Sequence, residues 1–193
     1  MSLILASNSQ IRREMLTQAG LDFEVRPPRF DEEDAKQDHA GGSEDLARLL
    51  AEGKAASVAT DRDNWVIGSD SVVTVDGRHF SKPRDRGEAA AHLRAFSGRT
   101  MQLSSAVALA REGQVNWSHC ETAQLHVRPL TAAFIESYLE HEWPEVGHCV
   151  GVFRMEGRGV TLFDEVEGSH FTILGMPLLP LLGALRARGL MPS

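Results

Sequence analysis

Lysine is scarce in this chain. Lys36, Lys54 and Lys82 stand against seventeen arginines in 193 residues. Biased codon use alone can make a chain rich in arginine. The lysines that remain are then candidates for positions that need a compact, mobile ammonium instead of a planar fork. Cysteine is scarcer still. Cys120 and Cys149 lie far apart in sequence, and in a reducing compartment they read as two buried thiols, not a disulfide. No apolar run reaches the length of a membrane span, and no basic start with an apolar stretch and small-residue cleavage site marks an export signal. These absences point to the cytoplasm and away from a membrane partner. Net charge is −7, which argues against a broad nucleic-acid surface, since that needs a basic face. It leaves room for a small basic pocket. G-x-x-x-x-G-K-[ST] and G-x-S-x-G are both missing, which removes a P-loop and a nucleophile elbow. His141, His148 and Cys149 lack the paired spacing of a structural zinc site.

What is present is ordinary for a globular chain: 42% hydrophobic and 24% charged residues, enough for one domain over residues 1–193 with a proper core. "LILA" reads as a buried strand and "QIRREML" as a helix behind Ser9 as N-cap, ended at Gly20. "LDFEVRPP" reads as a strand closed by Pro27 and Pro28, and "RFDEEDAKQDHAGG" as a polar loop. "SEDLARLLAEGKAASVA" follows as a helix capped by Ser43, then "WVIGSDSVVTV" as one or two strands with a turn at Asp76-Gly77. "RGEAAAHLRAF" and "TAAFIESYLEHE" are helices around a hairpin that turns at "REGQ". "GHCVGVFRMEGRGVTLF" reads as strand, turn, strand, and "MPLLPLLGALRARG" as a last helix. Alternating strands and helices interrupted by a hairpin favour an α/β fold with a mixed sheet.

Three features carry chemistry. Arg12 and Arg13 sit in the first turn of a helix, where the dipole already favours anions. A solvated face explains one arginine, and Arg13 does point away from the Ile11–Met15 stripe. Two of them behind the Ser7-Asn8-Ser9 loop suggest a phosphate or polyphosphate held by backbone N–H groups, hydroxyls and guanidinium forks. Asp70 lies among Val66, Ile67, Val72 and Val73. It sits either at a strand end in water, or half-buried as a base or Mg²⁺ ligand. Asp31, Glu32 and Glu33 could add a second metal carboxylate, although acidic loop runs are usually solvated. Lys54 and Lys82, with the two arginines, could clamp a triphosphate. All four residues are expected to face a cleft, so that truncating any of them leaves the fold intact.

In order and spacing, "LILASNSQIRREML", "FEVRPPRFDEE", "LARLLAEGKAASVA", "VIGSDSVVTVDGRHFSKP", "AAAHLRAFSGRT" and "EGSHFTILGMPLLPLL" resemble the Maf family of nucleotide pyrophosphatases, once named septum-formation inhibitors. The resemblance spans essentially the whole chain. It implies an elongated mixed β-sheet flanked by helices, two lobes with a deep cleft, and a fold similar to inosine triphosphatases. It implies hydrolysis of a nucleoside triphosphate, pyrimidine or modified, to the monophosphate and pyrophosphate with Mg²⁺ or Mn²⁺. Ser7, Arg12 and Arg13 match the family's phosphate segment, and Lys54 and Lys82 its two further phosphate lysines. Glu32 matches the acid of its Asp-Glu pair, a metal ligand with Asp70, and Asp70 also matches its proton acceptor. A family Lys-Ala-Gly-x-Tyr-x-Ile-Gln-Gly stretch is here "CVGVFRMEG". Glu156 thus replaces a glutamine and marks a specificity position, because an ionised glutamate only accepts hydrogen bonds. A nucleotide-binding regulator of cell division with little catalysis is the alternative, and a hydrolase of other pyrophosphate bonds a third. The pattern leaves the nucleobase and a homodimer open.

Overall fold

The computed structural model describes residues 2–37, 39–60 and 63–192. Its seven strands form one mixed sheet in the order β2-β1-β3-β5-β6-β7, with β4 paired to β3. Strand β1 (Ser2–Ala6) runs parallel to β2 (Phe23–Val25) and to β3 (Asn64–Val75). Strand β4 (Arg78–Phe80) folds back antiparallel on β3 through Asp76 and Gly77, both at positive φ, the turn that Asp-Gly favours. Glu112 and Gly113 repeat that geometry between β5 (Thr100–Arg111) and β6 (Gln114–Val127). Strand β7 (Phe163–Glu167) closes the order, antiparallel to β6.

The helices are α1 (Gln10–Gln18), α2 (Glu32–Gln37), α3 (Ser43–Ala56), α4 (Arg86–Phe96), α5 (Ala132–Glu142), α6 (His170–Ile173) and α7 (Leu178–Arg186). The chain divides into two compact units. The first holds residues 1–71, 104–121 and 169–193, and the second holds residues 72–103 and 122–168.

In the first unit, the period-2 alternation of the strands sorts side chains to two faces. Leu3, Leu5, Trp65 and Ile67 pack with Leu16 of α1 and with Leu181 and Leu185 of α7. Each such side chain, fully buried, contributes about 1.5–3 kcal/mol. Ile4, Ala6 and Val66 turn to the other face and pack with Val58. Gly68 continues that second series, and α3 lies directly on it. A Cβ at Gly68 would stand 2.2 Å from the Ala51 carbonyl oxygen and 2.5 Å from the Ala55 nitrogen, so only glycine admits the helix. In the second unit, Leu93 and Phe96 of α4 and Ile135 and Leu139 of α5 are buried. Phe80 meets Phe96 edge to face at 4.7 Å.

Three expectations from the sequence are corrected. Residues 32–37 form a helix instead of a loop. Asp31 Oδ1 accepts from the Glu33 and Asp34 N–H groups, both at 3.1 Å, while acids fill the first turn and Lys36 the last, as the dipole favours. Helix α3 is capped at Gly42, with Ser43 its first residue. Only one strand forms between 147 and 167. Val152 lies at φ +56, which an extended strand cannot accommodate. The segment instead runs through two 3₁₀ turns, Glu145–His148 and Arg158–Leu162, before β7.

Candidate active site

The two arginines part company. Arg13 is exposed. Arg12 is 9% exposed, and its guanidinium is spent on the protein. Nε donates to the Gly175 carbonyl at 3.0 Å, Nη1 to the Ser69 carbonyl at 2.8 Å and to Ser7 Oγ at 3.5 Å, and Nη2 to Ser71 Oγ at 3.3 Å. Arg12 therefore ties α1 to β3 and to the turn before α7. The expectation that both arginines face a cleft is corrected for Arg12, whose guanidinium is turned onto the Gly175 and Ser69 carbonyls. Ser7 is buried and closes the loop before α1 by accepting from the Ser9 N–H at 3.2 Å. Ser69 and Ser71 donate to the same Gly175 carbonyl. Ser71 also meets Ser105, which donates to the Thr172 carbonyl at 2.8 Å.

Asp70 continues the series Ile4, Ala6, Val66, Gly68 on the α3 face of the sheet. Because Gly68 lets α3 approach so closely, Lys54, on the next turn, reaches Asp70: Nζ donates to Oδ2 at 2.9 Å. The other oxygen, Oδ1, accepts from the Ser71 N–H at 2.8 Å and lies 4.0 Å from Arg12 Nη2. The Asp70 side chain is half-sheltered, 14% exposed. Lys54 itself is buried. Its ammonium is shared, with Glu32 Oε1 at 2.8 Å. A second close approach brings Glu32 there. A Cβ at Gly53 would stand 2.4 Å from the Phe30 ring, so Phe30 lies flush on α3 and the start of α2 is drawn against Lys54.

The two carboxylates assigned to a metal are thus brought together around one cation. Their donor set fits a hard divalent ion, which takes one or two carboxylates and keeps water and phosphate oxygens for its other positions. Such an ion would compete with the Lys54 ammonium for Glu32 and Asp70. Glu33 and Asp34 remain exposed, Glu33 pairing with Lys36 at 3.1 Å.

Lys82 and Glu156 belong to the second unit, where both are exposed. There they bear on Cys149, whose thiol burial pushes up to about 11, with Glu156 adding to the rise and Lys82 opposing it. Sequence reasoning missed how the neighbouring segment is held. Tyr138 donates to the Val152 carbonyl at 3.0 Å, and Glu142, on the next turn of α5, pairs with Arg154 at 3.1 Å. The i, i+4 spacing of Tyr138 and Glu142 was the available signal.

The sequence matches the Maf-like protein family over residues 2–188. A 7-methyl-GTP pyrophosphatase of Rhizobium etli is 46% identical over 191 residues, 97% of this chain and 96% of that one. A nucleoside triphosphate pyrophosphatase of Nitrobacter hamburgensis is 44% identical over 192 residues, 98% of this chain and 95% of that one. Among solved structures, a nucleoside-triphosphatase (dITP/XTP pyrophosphatase) of Mycobacterium abscessus matches with a TM-score of 0.41 at 20% identity, covering 68% of this chain and 75% of that one. With a match that runs through β1, the serine–arginine turn, α3, the Asp70 strand and α7, this chain belongs to the Maf-like protein family.

Proposed function

We propose that the chain hydrolyses a modified nucleoside triphosphate, with 7-methyl-GTP the first candidate, to the monophosphate and pyrophosphate. The observation that carries this reading is Lys54 held between Asp70 and Glu32, 2.9 and 2.8 Å from its ammonium. The relatives' names supply the substrate class. Asp70 is the proton acceptor. As an attacking water forms its bond to phosphorus and the α–β anhydride bond breaks, the water's proton passes to the Asp70 carboxylate. The Lys54 contact and the Ser71 N–H fix that carboxylate in place. Arg12 holds β3 and the Gly175 turn around it. Arg13, free of the core at the start of α1, is the phosphate contact of the pair. Glu32 and Asp70 would hold a divalent ion, which when bound offsets the charge of the polyphosphate. Such an activity belongs in the cytoplasm, with the nucleotide pools.

The test is a panel of nucleoside triphosphates, 7-methyl-GTP among them, incubated with Mg²⁺ or Mn²⁺, with products identified. Monophosphate plus pyrophosphate is expected, with Asp70→Asn slower by about 10²–10⁴-fold, the usual cost of losing a general base. Orthophosphate as product overturns the reaction, and a folded Asp70→Asn variant with unchanged turnover overturns the assignment of the base. Tight binding without turnover favours the nucleotide-binding regulator instead.

A further inference from the structure

A second constellation of metal-binding groups lies in the other unit, on side chains that the proposed reaction does not use. The register of the β6–β7 pair sets it up. His126 stands opposite Glu165, and Gln124 stands opposite Glu167. Residues opposite each other across a pair share a face, and so do residues two apart along a strand. His126, Glu165 and Glu167 therefore project together, and a ligand atom from each lies within 4.8 Å of the other two. His126 Nε2 is 3.1 Å from Glu167 Oε1. Ligand atoms around a tetrahedral zinc ion lie roughly 3.4 Å apart, from bond lengths of about 2.1 Å. Small changes of side-chain angle bring the three groups to that spacing.

A third strand orients the imidazole. His126 Nδ1 lies 3.1 Å from Thr100 Oγ1 at the start of β5. An outer hydrogen bond of this kind fixes which ring nitrogen faces outward, as it does for metal-bound histidines generally. Charge points the same way. Strand β7 carries Asp164, Glu165 and Glu167 and no base. Acids on an edge strand discourage pairing with other chains, which accounts for their presence but not for the oriented ring. The His126–Glu167 contact satisfies one carboxylate and leaves Glu165 beside it. A bound cation satisfies both.

We propose that His126, Glu165 and Glu167 bind a divalent transition metal of the zinc class, with Thr100 as a positioning residue. One imidazole and two carboxylates make a borderline donor set, which zinc accepts and magnesium does not favour. The all-oxygen pair Glu32 and Asp70 has the opposite preference. The chain thus presents two donor sets of different softness, one in each unit. The metal on β7 clips the edge strand to β6 and leaves at least one coordination position to water.

The test is calorimetric titration of the chelator-treated full chain with Zn²⁺ alone, beside thermal unfolding with and without the ion. One Zn²⁺ per chain is expected at this site, with a rise in Tm and no displacement by excess Mg²⁺. His126→Ala should abolish both the binding and the rise. Glu165→Gln and Glu167→Gln, which keep the shape of exposed side chains, should each weaken binding. Thr100→Val should weaken it by about tenfold, the lower end of the range for outer partners. Absence of Zn²⁺ binding by the parent chain overturns the proposal, as does a titration of His126→Ala that matches the parent's.

Discussion

Replacing Arg12 by alanine tests whether this arginine holds the fold. The guanidinium gives two backbone carbonyls a charged donor, Gly175 at 3.0 Å and Ser69 at 2.8 Å. Gly175 keeps other partners in the variant, because Ser69 Oγ and Ser71 Oγ also donate to it. The Ser69 carbonyl loses its guanidinium partner, and Asp70 loses a cation at 4.0 Å. A bond to a charged donor contributes about 1.5–3 kcal/mol, and a buried acceptor left unpaired costs about 1–3 kcal/mol. Both figures describe the loss of the one Ser69 bond, so Arg12→Ala is expected to cost about 1.5–3 kcal/mol, against a total of about 5–15 kcal/mol for a typical domain. Arg13→Ala removes an exposed side chain and should fall within about 0.5 kcal/mol of the parent. Arg12→Lys keeps the charge but not the fork and should recover only part of the loss. Urea unfolding followed by tryptophan fluorescence reads the difference, with Trp65 and Trp117 packed in the affected core. Equal midpoints for Arg12→Ala and Arg13→Ala would refute the structural role.

Three further outcomes are expected. In a titration of activity against Mg²⁺, Glu32→Gln should need more metal or lose turnover, while Glu33→Gln, 75% exposed, should follow the parent; identical curves for Glu32→Gln and the parent remove the shared metal site. Burial beside Phe80 and Phe96 holds His92 below its usual 6.5, so its neutral form favours the folded chain. That contribution is complete above pH 6.5 and is lost as pH falls from there through the folded value, so the Tm-against-pH curve of His92→Gln should be flatter there than the parent's, and parallel curves contradict this. Burial pushes both Cys120 and Cys149 to about 11, so at pH 8 alkylation by iodoacetamide should run on the order of 10²-fold slower than for a free thiol with its pKa near 8.5, and labelling at the free-thiol rate contradicts the burial.

Local patterns were legible where the chain decides locally. Asp76-Gly77 and Glu112-Gly113 announce their turns, and the apolar run around Asp70 forms a single long strand. Ser9 ends its loop as expected. What stayed hidden depends on residues distant in sequence. Helix α2 has no buried residue of its own and owes its place to Phe30 lying against Gly53. The burial of Arg12 was half visible. It shares a face with Met15 and Leu16 at i+3 and i+4, and all three are buried, but a charged residue is normally left off the apolar stripe. The carbonyls of Ser69 and Gly175, 57 and 163 residues away, help to make its burial tolerable. The pairing of Glu32 with Asp70 is likewise a product of two glycines, Gly53 and Gly68, whose missing side chains no residue-type pattern advertises.

The ammonium of Lys54 has a consequence for how the protein is made. Two carboxylates placed to hold the proposed metal would repel each other during folding, and many metal sites solve this by folding only when the ion arrives. Here a built-in cation bridges the pair and offsets one of its two charges from the outset. If the proposed ion binds there, assembly and metal loading are uncoupled: a chelator should then silence the enzyme without lowering the temperature at which this unit melts.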